Sequence, residues 1–136
     1  MPRAILPVLI ALLTLPTNSF AAVKVTKGEW LSKVPPENRE RANPLAADAD
    51  AVAAGGHIYQ TNCAKCHGED ASGRGRRPSL RTQRVHDATD GELHWLLTNG
   101  ALSNGMPAWS GLPDAQRWQL VRYLHSLPME NFSPSM

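Results

Sequence analysis

Along "PDAQRWQLVRYLHSLP", residues 113 to 128, apolar side chains return at Trp118, Leu120, Val121, Leu124 and Leu127, with arginine, glutamine and histidine between them. That three-to-four-residue rhythm puts the apolar groups on one face of a helix. Pro113 suits a first helical turn, Asp114 complements its positive end, and Pro128 forbids continuation. A second stretch, "TDGELHWLLTNG" (89–100), opens on a capping box from Thr89 to Glu92, sets Leu93, Leu96 and Leu97 on one side and closes at Gly100. A third, "DADAVAAGGHIYQTN" (48–62), is rich in alanine and carries Val52, Ile58 and Tyr59 as its larger apolar groups. It predicts a helix in spite of the cost of two adjacent glycines. No alternating run marks a strand, so the pattern predicts an all-α domain of three main helices.

The flanks read differently. "MPR", then "AILPVLIALLTL", then "TNSFAA" gives a basic start, an apolar run and a small-residue exit, the pattern of an export signal (1–21) cut after Ala21. A retained anchor is the alternative, but the run is well short of the roughly 20 residues that span a bilayer. Residues 22–47 are rich in proline and charge and predict an extended N-terminal arm, with Trp30 and Leu31 able to pin it to the domain or to a partner. The tail 129–136 is expected to fray. The 136 residues leave room for one compact domain between these flanks. Loss of Arg3 with the signal leaves 13 basic and 12 acidic side chains, a nearly neutral balance. Nothing in it points to nucleic acid as a partner, and no membrane span is expected after cleavage.

Both cysteines fall in "NCAKCHG", residues 62 to 68, with His67 directly after Cys66. In an oxidising compartment such a pair could close a disulfide or exchange thiols, but a redox dithiol follows a strand in a βαβ unit and no strand pattern precedes Cys63. Zinc wants four ligands, and only Cys63, Cys66 and His67 cluster. The third reading is c-type haem attachment, for which Cys-x-x-Cys-His is the signature. Two thiols three residues apart can add to the two vinyl groups on one porphyrin edge, which brings the next residue, His67, to the iron as an imidazole ligand.

Residues 48–128 resemble the class I c-type cytochromes, small single-haem electron carriers. The resemblance implies the cytochrome c fold, with haem c bound through Cys63 and Cys66, and it implies that the methionine of "SNGMPAW" is the sixth iron ligand. That residue, Met106, stands 39 positions after His67; His86, His94 or an open site are the alternatives. Gly55 and Tyr59 match the family's first helix, where a bare backbone lets the last helix cross at Leu120 and Tyr123. "GRRPSL" resembles the segment whose proline carbonyl meets the other nitrogen of the haem histidine, which gives Pro78 that role and lays Leu80 against the ring. Trp95 and Trp109 face the haem or simply pack. His57, His86, His94 and His125 carry no motif and are read as surface or packing residues.

Five arginines, Arg74, Arg76, Arg77, Arg81 and Arg84, crowd into eleven residues. They form a solvated loop, pair with haem propionates, or dock an acidic redox partner. Three helices over about 80 residues make a marginal core, and a porphyrin completes it. The resulting expectation is a periplasmic electron carrier, not an enzyme, taking electrons from a dehydrogenase and passing them to an oxidase or another cytochrome. Two rivals are a dedicated electron-accepting subunit of a periplasmic dehydrogenase, such as a quinoprotein, and a haem enzyme or gas sensor whose sixth site is open.

Overall fold

The computed structural model describes residues 29–130, so the expected export signal (1–21), residues 22–28 and residues 131–136 lie outside the described residues. In chain order the elements are α1 (Glu29–Lys33), α2 (Pro36–Arg39), α3 (Ala51–Asn62), α4 (Ala64–His67), α5 (Gln83–Asp87), α6 (Asp90–Asn99), a 3-10 turn (Leu102–Asn104) and α7 (Asp114–Ser126). Among the described residues β pairing is confined to two isolated bridges, Arg74 with Arg77 and Ala101 with Met106.

The frame is the crossing of α3 and α7, the most extensive helix contact. A glycine makes it possible. A Cβ on Gly55 would lie 2.1 Å from the Gln119 carbonyl oxygen and 2.9 Å from Tyr123 Cβ, so any side chain there would force the helices apart. The crossing partners are thus Tyr123 and the Gln119 backbone. Leu120, the other residue expected at the crossing, is buried in the same core cluster as Tyr59 of α3. Tyr59, one turn after Gly55, is fully buried, and its ring leans on Tyr123 at 5.1 Å between centroids.

The third wall is α6. Its capping box is closed on both sides: the Glu92 N–H donates to Thr89 Oγ1 at 3.1 Å and the Thr89 N–H to Glu92 Oε2 at 2.9 Å. It ends at Gly100, whose φ of 70° needs no Cβ. Leu93 and Leu97 meet Trp118, Val121 and Leu124 of α7 in one core. Pro113 stands one position before α7, as its N-cap, and Leu127 turns extended ahead of Pro128, which ends it.

Residues 29–47 differ from the extended arm their composition suggested. Pro36 opens α2 at a first-turn position, and the Arg39 guanidinium closes the preceding segment by donating to the Val34 and Leu31 carbonyls. Val34 and Asn43 are buried, and Trp30, Leu31 and Leu45 pack on the core. Thr89 Oγ1 donates to the Arg39 carbonyl, Asn43 Nδ2 donates to the Trp118 carbonyl at 3.0 Å, and Gly91 admits the Asn38 carbonyl where any Cβ would collide. This segment is a strap across the backs of α6 and α7. Side chain to backbone bonds between residues far apart hold it, and those leave no periodic trace in the sequence.

Candidate haem site

The last turn of α3 runs directly into α4. The Cys63 N–H donates to Tyr59 O at 2.8 Å, and the N–H groups of Cys66 and His67 both donate to Cys63 O, at 3.1 and 3.0 Å. Cys63 and Cys66 therefore stand one helical turn apart with His67 beside them. Both thiols are free, Cys63 half-buried and Cys66 exposed. Burial, with the neighbouring Cys66 adding, pushes the Cys63 thiol up to about 11. A thiol protonated at neutral pH is the opposite of the activated thiolate that exchange chemistry needs.

After α4 the chain folds back on itself. Tyr59 Oη donates to the Gly68 carbonyl at 2.7 Å, and burial holds its own ionisation well above the usual phenol range. The Gly73 N–H donates to His67 O at 2.7 Å and the Leu80 N–H to Ala71 O at 2.8 Å. Gly73 has a φ of 92°, and a Cβ there would strike Arg77 O at 2.7 Å and Ser79 N at 2.8 Å. This tight turn carries Pro78 to the histidine: its carbonyl oxygen lies 2.9 Å from His67 Nδ1. A carbonyl only accepts, so Nδ1 carries the proton and the Nε2 lone pair is left for a metal.

Met106 rides on the loop from α6 to α7. Its N–H and carbonyl pair with those of Ala101 at 3.1 and 2.9 Å, and the Trp109 N–H donates to Leu97 O at 2.8 Å. Gly100 lets the loop fold over the end of α6, since a Cβ there would lie 2.6 Å from Ala108 N. Arg77, next to Pro78, reaches across: its Nη1 donates to Gly105 O at 3.2 Å and to Asn104 O at 3.4 Å. One side chain thus ties the turn behind His67 to the residue before Met106.

Cys63, Leu80, Met106 and Trp109 are each partly buried against the same core, whereas Trp95, half-buried on α6, lies outside that group. Of the other arginines, Arg81 Nε donates to the Pro128 carbonyl at 2.9 Å, while Arg74, Arg76 and Arg84 are exposed. The two histidines weighed against Met106 are engaged elsewhere, His86 Nε2 with Leu127 O at 2.8 Å and His94 Nε2 with Asp114 Oδ1 at 2.9 Å. Asp114 also accepts from Arg117 Nη2 and Trp118 Nε1, both at 2.9 Å. That cluster was invisible as a site in the sequence. Asp114, Arg117 and Trp118 do share one face of α7 by their spacing, but His94 lies 20 residues away.

Two thiols one turn apart, an imidazole with Nε2 free and a thioether on a loop against the same core make a donor set that suits a covalently attached haem. The family model described as "Cytochrome C oxidase, cbb3-type, subunit III" matches residues 50–124. The chain is 37% identical over 94 residues to a Cbb3-type cytochrome c oxidase subunit CcoP of Azospirillum sp. (strain B510), covering 62% of this chain and 31% of that protein. It therefore spans about a third of the length of that relative. Cytochrome c550 of Pseudomonas aeruginosa is 31% identical over 110 residues, covering 77% of this chain and 76% of its own. Among solved structures, cytochrome CL of Methylophaga aminisulfidivorans superposes with a TM-score of 0.53 at 25% identity, over 61% of this chain and 59% of its own. Cytochrome cL of Hyphomicrobium denitrificans gives 0.51 at 22%, over 74% and 67%, a likeness of fold alone. The chain belongs to the c-type cytochrome family of that oxidase-subunit model, with an all-α cytochrome c fold and covalently bound haem c.

Proposed function

We propose that this chain is a periplasmic single-haem electron carrier in which Cys63 and Cys66 hold haem c and His67 and Met106 fill its two axial positions. The observation that carries the reading is the 2.9 Å contact between His67 Nδ1 and the Pro78 carbonyl, on a turn that Arg77 ties to the Met106 loop. Bound there, the haem supplies an iron that takes up and releases one electron. The chain's own residues do the rest. The Pro78 carbonyl fixes the His67 tautomer and orientation, which sharpens the imidazole as a ligand. Met106 closes the other face to substrate, which makes the protein a carrier and not a catalyst, and a thioether in place of a second imidazole raises the reduction potential. Leu80 and Trp109 would line the ring and keep its surroundings dry, while Trp95, half-buried on α6, stands outside that group and would reach the ring only at its edge.

Export fits the sequence pattern of residues 1–21. The partners proposed are a periplasmic dehydrogenase as donor and an oxidase or another cytochrome as acceptor. Residues 48–128 form the haem domain in this reading, with 22–47 as the arm before it, of which 29–47 is the strap, and 129–136 as a tail.

The test is a visible spectrum of the exported protein in both oxidation states. Covalent haem, a far-red thioether-to-ferric charge-transfer band and no carbon monoxide uptake by the reduced protein are expected. Rapid carbon monoxide binding without that band would instead make it a haem enzyme or gas sensor.

A further inference from the structure

The Met106 loop is gripped from behind by a charge cluster in which Arg117 and His94 are buried and Asp114 lies at the surface. Arg117 is only 8% exposed. Its Nη1 donates to the carbonyls of Ser110, at 3.1 Å, and of Leu112, both in the segment that returns from Met106 to α7. Its Nη2 donates to Asp114 Oδ1, which also accepts from His94 Nε2, while Asp114 Oδ2 accepts from the Trp118 indole. The His94 ring, 3% exposed, stacks on Trp118 with centroids 3.9 Å apart. The strap closes the back: Arg41 stands over the Trp118 ring at 5.1 Å, and Asn43 takes the Trp118 carbonyl. Two loop carbonyls and one carboxylate thus converge on a single buried guanidinium, the imidazole meets the same carboxylate from the other side, and charge-assisted bonds are the strong kind even though Asp114 itself stays open to solvent.

We propose that Arg117, Asp114 and His94 form a latch that positions the Met106 loop, and that the latch loosens as His94 takes up a proton. The proposal rests on the reading of Met106 as an iron ligand. Arg117 is a positioning residue in it: it touches neither thioether nor imidazole and acts through the main chain of 110–112.

The charged groups facing His94 are Asp114 and Arg117 on α7 and Arg41 on the strap. Burial disfavours the imidazolium, and the Asp114 bond and charge offset this only in part, so His94 binds a proton less readily than an ordinary histidine. Asp114 is held ionised: burial alone would raise its carboxyl, but His94, Arg117 and Trp118 together hold it below the usual range. Above the ordinary histidine range the ring is neutral and donates from Nε2. An opened loop that exposes the ring would bind a proton more readily than the closed one, so acid shifts the balance toward opening.

Two measurements on the haem-loaded protein test this: the rate at which cyanide binds the ferric form, which reports opening of the methionine side, and backbone amide exchange. Arg117→Met is expected to speed cyanide binding by about tenfold to a hundredfold, the range set by losing charge-assisted bonds, and Arg117→Lys by less. The amides of Met106 and Trp109 should exchange faster by a similar factor while that of Cys63, on the histidine side, keeps its rate. At saturating cyanide, where opening of the methionine side limits the rate, binding to the native protein should accelerate as pH falls from 7.5 to 5.5, and His94→Gln, which keeps a donor toward Asp114, should flatten that profile. If Arg117→Met does not fold, Asp114→Asn carries the same comparison. Equal acceleration of all three amides, or an unchanged pH profile in His94→Gln, would overturn the latch. Native protein that binds cyanide as fast as Met106→Ala would refute methionine ligation itself, and the amide pattern would still decide whether the loop is latched.

Discussion

The two segments proposed to carry the axial ligands are fixed in different ways. Around His67 the main chain does the work: Gly73 bonds back to His67 O, Leu80 to Ala71 O, and the Pro78 carbonyl meets the imidazole, all within 14 residues of one another. Around Met106 the main chain also bonds to itself, through the pair with Ala101, the Asn104 and Gly105 amides and the Trp109 amide, but the loop is in addition steadied by side chains from elsewhere, Arg77 on one flank and Arg117 on the other. A ligand held by short-range backbone geometry resists charge and pH. One held by distant guanidinium groups can be tuned by them.

The largest perturbation removes what both sides share. A Cys63→Ala, Cys66→Ala variant made without haem should lose most of its tertiary structure, because a domain this small buries too little apolar surface unaided. A well-dispersed amide spectrum from it would contradict that.

A glycine pair tests the contrast itself. On the histidine side a Cβ at Gly73 meets rigid backbone, Arg77 O and Ser79 N, whereas one at Gly105 meets the movable end of Arg77 at 2.7 Å. Both have positive φ. Gly73→Ala should cost about 3 kcal/mol or more from strain plus overpacking, and Gly105→Ala only about 1–2 kcal/mol, the cost of the left-handed backbone. Denaturant unfolding of the two holoproteins gives the ranking, and equal losses would erase the distinction.

The smallest effect is electrostatic. Because burial lowers the proton affinity of folded His94, its contribution to stability is complete above the unfolded value of about 6.5. It is lost as pH falls below that value toward the folded one, with a slope of at most about 1.4 kcal/mol per pH unit for one group. Unfolding midpoints of native protein and His94→Gln across pH 7.5 to 5 should diverge in that window, and parallel curves would argue against it.

The helices were legible because their signals are local. The apolar rhythm of 113–128, the Thr89–Glu92 box and the Gly100 stop are satisfied within a turn or two of themselves. The Cys-x-x-Cys-His run was legible for the same reason, its spacing being that of one helical turn. Residues 29–47 were not, since their short helices depend on Arg39, Asn43 and Gly91 meeting groups up to 75 residues away. Nor was α5, five residues long and too short to show a period. Arg77 read as one member of a charge cluster, and only the fold brings it to Gly105; His94 read as surface or packing, and the fold makes it a buried partner of Asp114.

The central claim, that sulfur from Met106 completes the coordination begun by His67, is tested most directly by the reduction potential of Met106→Ala measured beside a Met129→Ala control. The account predicts that the far-red band disappears and the potential shifts by a sizeable part of the roughly 0.8 V that axial ligands span, while the control keeps both. A Met106→Ala protein with band and potential unchanged would contradict it.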